Sequence, residues 1–152
     1  MFTVTITNGT ENTGIHSDGT DRITSGKVVK AINAVDSFSF TIYPNNAGYK
    51  LLKPLTTTVK VYDESTRKNI FIGRVLKCPD SMDDSGLICR KVTCEGRLGW
   101  LYDSVQPYTE YKLVGISTVL SSFLSKHNSQ VGADKRIELG QVTVTASNNY
   151  TY

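Results

Sequence analysis

The stretch SFSFTIY at residues 37–43 decides the fold class, because apolar and polar residues alternate along it without a break. Successive side chains of a β-strand point to opposite faces, so Phe38, Phe40 and Ile42 share one face. Residues 44–48, with the sequence PNNAG, end the run with strong turn formers. The pattern predicts a strand that buries one face.

Weaker or shorter alternation recurs on both sides of this stretch. The further predicted strands are Phe2–Thr7, Ile23–Ala34, Thr57–Tyr62, Ile70–Cys78, Leu87–Cys94 and Gln141–Thr145. Gly73 lies inside one of them, which indicates a bulge or a close backbone approach. The polar segments Asn8–Asp21 and Pro79–Gly86 predict a loop and a turn.

The apolar period becomes helical in two places. Leu98, Leu101, Tyr102 and Val105 follow the i, i+3, i+4, i+7 spacing within Glu95–Gln106, and Pro107 ends that helix. A second helix is predicted for Thr118–Gln130, with Ser117 as its N-cap. Its apolar stripe consists of Val119, Leu120, Phe123, Leu124 and His127.

Strands followed by helices predict a mainly β (α+β) fold class. We expect an antiparallel, β-barrel-like domain with two short helices inserted before a last strand. The connection Pro107–Gly115 is the best boundary, so the predicted domains are residues 1–107 and a helix-plus-strand subdomain at residues 108–152.

Composition excludes several classes of function. Seventeen Lys and Arg residues stand against fourteen Asp and Glu residues, with no run of five like charges, so no basic face for nucleic acid is expected. The apolar runs are too short to cross a membrane, and residues 1–6 do not resemble a secretory signal. We expect synthesis in a cytoplasm.

The residues offer little catalytic chemistry. The spacing of the three cysteines, Cys78, Cys89 and Cys94, matches no common zinc pattern. We expect buried free thiols because free Cys is usually a small core residue, and the alternative is that Cys78 and Cys89, which flank a turn, are cross-strand neighbours. Cys94 and His127 are the residue types of a thiol nucleophile and its base, but no family signature surrounds either. We predict no catalytic, cofactor-binding or metal site and no enzymatic activity.

Aromatic residues in the second half are the candidate interface. Tyrosine is favoured at interfaces because it buries a large ring and keeps a polar tip. Trp100 lies about 160° from the apolar stripe of its predicted helix, so either another segment covers it or it docks a partner. The predicted interface residues are Trp100, Tyr108, Tyr111, Tyr150 and Tyr152.

An ordered series of segments resembles the N-terminal domain of phage tail-tip hub or tail-associated (Tal-type) proteins, which are similar to the hub of contractile-phage baseplates. The segments are Asn33–Pro44, Tyr49 with Leu52–Pro54, Val59–Asp63, Phe71–Val75, Val92–Ser104 and Leu124–Asn128. The resemblance covers about Ala31 to Val144 and consists of fold-forming residues, so it implies no active site.

The resemblance implies a structural protein of the phage virion, at the tail tip. Members are expected to assemble as a homotrimeric ring that contacts the distal tail protein and the tail tube, with no specific nucleic acid, membrane insertion or cofactor. Many relatives carry a C-terminal endopeptidase or host-binding region, and nothing in this chain corresponds to one.

Two other functions stay open on the sequence. A glycan-binding β-module for host attachment would present an exposed platform of tyrosines. A cell-wall hydrolase or cysteine peptidase would depend on Cys94 and His127.

Overall fold

The chain folds into two compact units, Met1–Leu98 and Gly99–Tyr152. The computed structural model describes residues 1–19, 22–144 and 147–151, the last of these by its backbone. The predicted fold class is confirmed, since the protein is mainly β with a curled antiparallel sheet that forms half a barrel. The domain boundary expected after Pro107 stays a prediction.

The first unit consists of one antiparallel sheet, to which eight described strands contribute in the order β2-β1-β5-β6-β8-β4-β3, with β7 paired to β8. The strands are β1 (Phe2–Asn8), β2 (Glu11–His16), β3 (Thr24–Val29), β4 (Ser37–Ile42), β5 (Thr58–Asp63), β6 (Lys68–Lys77), β7 (Asp80–Met82) and β8 (Ile88–Gly96). The predicted strands 2–7, 37–43, 57–62, 70–78 and 87–94 therefore lie where alternation placed them.

One face of the curled sheet holds the apolar core. Phe38, Phe40 and Ile42 are buried, as the alternation predicts, and the ring of Phe38 lies 5.6 Å from that of Phe71 on β6. Burying side chains of this size contributes roughly 1.5–3 kcal/mol each. The core consists of Val4, Ile6, Ile15, Ile23, Phe38, Phe40, Ile42, Tyr49, Leu52, Val59, Val61, Phe71, Val75, Val92 and Cys94.

Strands β6 and β8 approach closely at two glycines. Gly73 pairs with Gly96, and a Cβ added at Gly73 would overlap the carbonyl oxygen of Glu95. At Gly96 an added Cβ would lie 3.0 Å from the Cβ of Asp36. The close backbone approach predicted at Gly73 is therefore what the structure contains.

A buried ion pair lies beside this approach. Arg74 and Glu95 are directly opposite each other, and the Arg74 Nε lies 2.6 Å from the Glu95 carboxylate. Their side chains are 6% and 13% exposed. Removing one member of such a pair typically costs about 3–5 kcal/mol because the other charge stays buried without its counter-ion.

The second unit combines helical segments with a two-stranded ribbon. Its elements are a 3₁₀ segment (Arg97–Asp103) that begins in the first unit, β9 (Glu110–Gly115), α1 (Ile116–Gln130), a 3₁₀ turn (Ala133–Lys135) and β10 (Ser147–Thr151), which pairs with β9.

Polar side chains of α1 hold the segments on either side of it. Gln130 both accepts from the Val105 N–H and donates to the Val105 carbonyl. Asn128 makes the same pair of bonds with Ile137. These amide groups reproduce the donor and acceptor pattern of a neighbouring strand, so they satisfy backbone groups that no sheet satisfies.

Five predicted elements differ in the structure. The strand predicted at Ile23–Ala34 is confined to Thr24–Val29, and residues 80–82 of the turn predicted at Pro79–Gly86 form β7. Residues 11–16 form β2 instead of part of a loop, and residues 110–115 form β9 instead of a connection. The strand predicted at Gln141–Thr145 is wrong for residues 141–144, which have no regular structure, and Thr145 lies outside the described residues. Each difference depends on whether a partner strand lies beside the segment, and local alternation does not report this.

The predicted helices also need correction. Residues 97–103 form a 3₁₀ segment, and Leu98, Leu101, Tyr102 and Val105 are exposed while Trp100 is buried. Helix α1 begins at Ile116 with Gly115 as its N-cap, so Ser117 is inside the first turn. Tertiary burial therefore overrides an apolar period that is only a weak guide in so short a segment.

The cysteines are free, as predicted. Cys89 and Cys94 are buried and Cys78 is half-buried. Burial raises the pKa of the Cys94 thiol, so this residue behaves as a small apolar side chain.

We predict that Gly73→Ala lowers the free energy of unfolding of the first unit by about 1–3 kcal/mol, because its methyl group meets the Glu95 backbone. Urea unfolding followed by far-ultraviolet circular dichroism measures the change. Gly14→Ala is the matched control, since a Cβ there has no described atom within 4 Å. Equal stability of the two variants would contradict the close approach.

Candidate interaction surface

The hairpin between β7 and β8 presents apolar side chains to solvent. Met82 pairs directly with Ile88, and Leu87 precedes it. Leu87 is 58% exposed and Ile88 is 59% exposed. Three large neighbouring apolar side chains at one hairpin tip form a patch of the kind that proteins use for contacts.

Asp83 gives this hairpin a defined shape. Its Oδ1 accepts hydrogen bonds from the backbone N–H groups of Ser85 and Leu87, both at 2.9 Å. Its Oδ2 accepts from the Tyr43 hydroxyl, also at 2.9 Å. Gly86 supplies the positive φ of 79° that closes the turn. The exposed Leu87 is therefore held in place by its own backbone.

These bonds shift two titrations. The backbone N–H of Leu87, with smaller contributions from Tyr43 and Ser85, lowers the pKa of Asp83. The Asp83 carboxylate in turn raises the pKa of Tyr43. Hydrogen bonds to the Asp83 carboxylate favour its charged form and so lower its pKa. The Tyr43 hydroxyl holds its proton more tightly because it donates that proton to the carboxylate, so the pKa of Tyr43 rises.

A second polar cluster fixes the base of the hairpin. Arg90 lies over the ring of Tyr49, with its guanidinium carbon 4.4 Å from the ring centre. The Arg90 Nε donates to Asp80 at 2.8 Å, and its Nη1 donates to the Tyr49 carbonyl at 2.7 Å. The hydrogen bond and charge of Arg90 hold the pKa of Asp80 below its ordinary value. The cluster ties β7 and β8 to the turn that follows β4.

A groove of about 790 Å³ runs between this hairpin and the end of β4. Ring and aliphatic groups form its walls, and one guanidinium lies at its edge. It is lined by Arg22, Thr24, Tyr43, Pro44, Asn45, Asn46, Gly86, Leu87 and Ile88. Mostly apolar grooves with a few polar groups are common binding sites.

The predicted interface aromatics have different environments. Trp100 is 5% exposed, so of the two alternatives the sequence left open, the structure has it covered. Tyr108 is 69% exposed and donates its hydroxyl to Glu110 at 2.7 Å. The contribution of these residues to partner contacts stays a prediction.

The remaining predicted tyrosines lie on or next to the β9–β10 ribbon. Tyr111 is half-buried and its hydroxyl bonds to Ser122 at 2.6 Å. Tyr150 pairs with Tyr111 in the ribbon, although its side chain is not described. Tyr152 lies outside the described residues. Tyr111 and Tyr150 thus lie on the paired strands of the ribbon, and Tyr108 lies two residues before β9.

Neither member of the thiol–imidazole pair has the environment of a nucleophile or its base. Cys94 is buried with a raised pKa, which suppresses the reactive thiolate. His127 is also buried. Its Nδ1 lies 2.9 Å from the Ser104 hydroxyl, and its Nε2 donates to the Lys135 carbonyl at 3.2 Å. These contacts fit a histidine that joins segments of the second unit.

The described residues also contain no group of three or more His, Cys, Asp or Glu side chains placed to hold a metal ion. No helix within that part of the chain is long and apolar enough to cross a membrane.

Sequence reasoning missed the hairpin patch because it classified residues 79–86 as a polar turn. The apolar residues of the patch are visible in the sequence, because Met82 and Leu87-Ile88 flank four turn-forming residues. Only the strand pairing shows that these side chains come together.

Comparison with known proteins identifies a structural likeness. No protein-family model and no curated protein sequence matches the chain. The structure is similar to the crystal structure of the 43 kDa tail protein of prophage MuSo2 from Shewanella oneidensis, with a TM-score of 0.61 at 11% identity. The chain has the fold of a prophage tail protein.

The match covers 100% of this chain and 44% of that protein. The chain therefore spans less than half the length of the tail protein that it resembles. Because so few residues are identical, the likeness is one of fold, and it includes both compact units.

We predict that Asp83→Ala loosens the hairpin without unfolding the unit, because two backbone N–H groups and the Tyr43 hydroxyl lose their acceptor. Amide hydrogen exchange at Ser85 and Leu87, measured by NMR, should accelerate about tenfold or more because both amides lose their acceptor. The exposed neighbour Asp84 provides the control variant Asp84→Ala. Equal exchange in both variants would refute the role of Asp83.

The hairpin should also loosen in acid. The folded pKa of Asp83 is lowered, so its carboxylate stabilises the turn at pH values above the ordinary aspartate pKa. That contribution is lost as the pH falls through the lowered pKa. A pH titration of the Leu87 and Ser85 amide shifts should show the transition below about pH 3.9. Asp83→Asn should abolish it, and a transition that survives in this variant would contradict the assignment.

Proposed function

We propose that the chain is a structural component of a phage or prophage tail tip or baseplate. On this proposal it is a hub protein that assembles as a ring, as a homotrimer in its complete form, and contacts the distal tail protein and the tail tube. The observation that carries the proposal is the match of the whole fold to a prophage tail protein.

The resemblance of the sequence segments supports the same role by a different route. The resemblance rests on the amino-acid sequence, whereas the structural likeness rests on the fold and has only 11% sequence identity. Fold alone does not determine function, so the agreement of the two is what favours a tail protein.

The surface properties fit a protein that works through contacts. The first unit presents a rigid apolar hairpin, and the second unit exposes large apolar or aromatic side chains at Tyr102, Val105, Tyr108 and Leu113. Exposed groups of this type are typical of contact surfaces. The virion tail tip is the proposed location, after synthesis in the host bacterial cytoplasm.

A glycan-binding module for host attachment is the second candidate. The exposure of Tyr102 and Tyr108 favours it, because sugar rings stack on accessible aromatic faces. This function predicts measurable binding of host cell-wall polysaccharide, which a hub does not require.

Light scattering of the purified chain, alone and with the distal tail protein of the same phage, tests the proposal. We expect a mass three times that of the chain, or a stable complex with the distal tail protein. A monomer that does not bind the distal tail protein would contradict the hub function. Calorimetric titration with host polysaccharide would then test the second candidate.

A further inference from the structure

Residues 30–36, the loop between β3 and β4, carry an unusual apolar tip. Ile32 is 93% exposed, more than any other large apolar side chain among the described residues. The adjacent Asn33 has a φ of 61°, so the backbone turns sharply at this point. Turns normally carry Gly, Asn, Asp, Pro or Ser at such positions, and a β-branched apolar residue contributes nothing to the turn itself. We call this loop the knob.

The base of the knob is held by the sheet. The Asp36 carbonyl accepts the Gly96 N–H at 2.7 Å, next to the close approach of β6 and β8. Lys30 is exposed on one side of the base and Asp36 is half-buried on the other. Ile32 is thus an exposed apolar projection on a loop that is anchored at Asp36, with a cation and an anion at its base.

The groove at the other end of β4 is mostly apolar and large enough to receive such a side chain. Its walls are Tyr43, Pro44, Leu87 and Ile88, which we call the socket. Asp83 and the Arg90 cluster hold these walls in place before anything binds, and such preorganisation lowers the entropic cost of association. Its volume of about 790 Å³ accommodates an aliphatic side chain and the turn that carries it.

The knob and the socket each carry one cation and one anion, so each charge of the knob has an opposite charge at the socket. Arg22 lies at one edge of the groove, and the exposed Asp84 lies on the hairpin that forms the other. Lys30 can therefore face Asp84, and Asp36 can face Arg22. Complementary charges around an apolar centre set the orientation of a contact.

The knob comes directly before β4 and the socket directly after it. The six residues of β4 separate them by roughly 20 Å, at about 3.3 Å per residue. Knob and socket are therefore different patches at opposite ends of one strand. A contact between two such patches is head-to-tail, and such contacts generate closed rings or open filaments.

We propose that Ile32 of one copy of this chain docks in the socket of a second copy. The inference deepens the proposed function and rests on it, because both require the chain to assemble with itself. Two copies joined in this way leave one free knob and one free socket, so further copies add until a ring closes.

Complementation between two variants tests the contact. Ile32→Asp removes the knob and keeps the socket, and Leu87→Asp removes the socket and keeps the knob. Sedimentation velocity of the full chain should show association for the wild type. Each variant alone should be at least tenfold weaker, because a charge enters the apolar centre.

An equimolar mixture of the two variants should form a one-to-one dimer and nothing larger, since one intact knob and one intact socket remain. Leu55→Asp is the matched control, because Leu55 is an exposed apolar residue outside both patches. It should associate as the wild type does. Unchanged thermal melting of all three variants verifies that they fold.

Charge reversal provides an independent readout. Lys30→Glu should weaken association, and Asp84→Lys in the same chain should restore it, because each Lys30 faces the Asp84 of the next copy. Association unaffected by Ile32→Asp or Leu87→Asp would overturn the proposal, as would a wild type that stays monomeric at all concentrations or a mixture that fails to dimerise.

Binding of the distal tail protein separates this proposal from the proposed function. If the wild type and both variants bind the distal tail protein but form the same assemblies, the knob and socket contact is wrong and the hub function stands. If the complementation succeeds but the wild type forms an assembly other than a trimer and does not bind the distal tail protein, the contact stands and the hub function is wrong.

Discussion

The close approach of β6 and β8 at Gly73 and Gly96 is the constraint on which the first unit depends. It joins two groups of strands, β2-β1-β5-β6 on one side and β8-β4-β3 on the other. Only across this seam can the aromatic rings of Phe38 and Phe71 meet in one core. The knob and the socket lie at the two ends of β4, which pairs with β8 on one side of this seam.

The Arg74–Glu95 pair gives the seam its register. A shift of one residue would move the core side chains of β6 to the other face and would separate two nearly buried charges. Replacing such a pair by apolar residues is often neutral for stability, so we expect its main contribution to be the selection of one alignment. The second unit is held together differently. Amide and imidazole side chains of α1 form hydrogen bonds with backbone groups of the segments beside the helix.

Prediction from sequence succeeded where local chemistry and tertiary environment agree. Phe38, Phe40 and Ile42 alternate and are buried, and Gly73 marks a close approach in a strand. It failed at residues 11–16 and 110–115, where polar or mixed segments form strands because a partner strand lies beside them. It also failed at Leu98, Leu101 and Tyr102, whose helical spacing indicates a buried stripe although these residues are exposed. The candidate surface on β7 and β8 was missed because its residues are divided by a turn.

The sequence by itself determined the fold class, most strands of the sheet, the free state of the cysteines and the resemblance to tail proteins. These features depend on the period of apolar residues along short segments, and that period is local. Only the tertiary structure decided the strand order, the burial of Trp100, the rigid hairpin built on Asp83 and the placement of Ile32 opposite the groove. Each of these features depends on contacts between residues far apart in the chain. Such contacts form only when the whole chain folds, so a local sequence pattern does not reveal them.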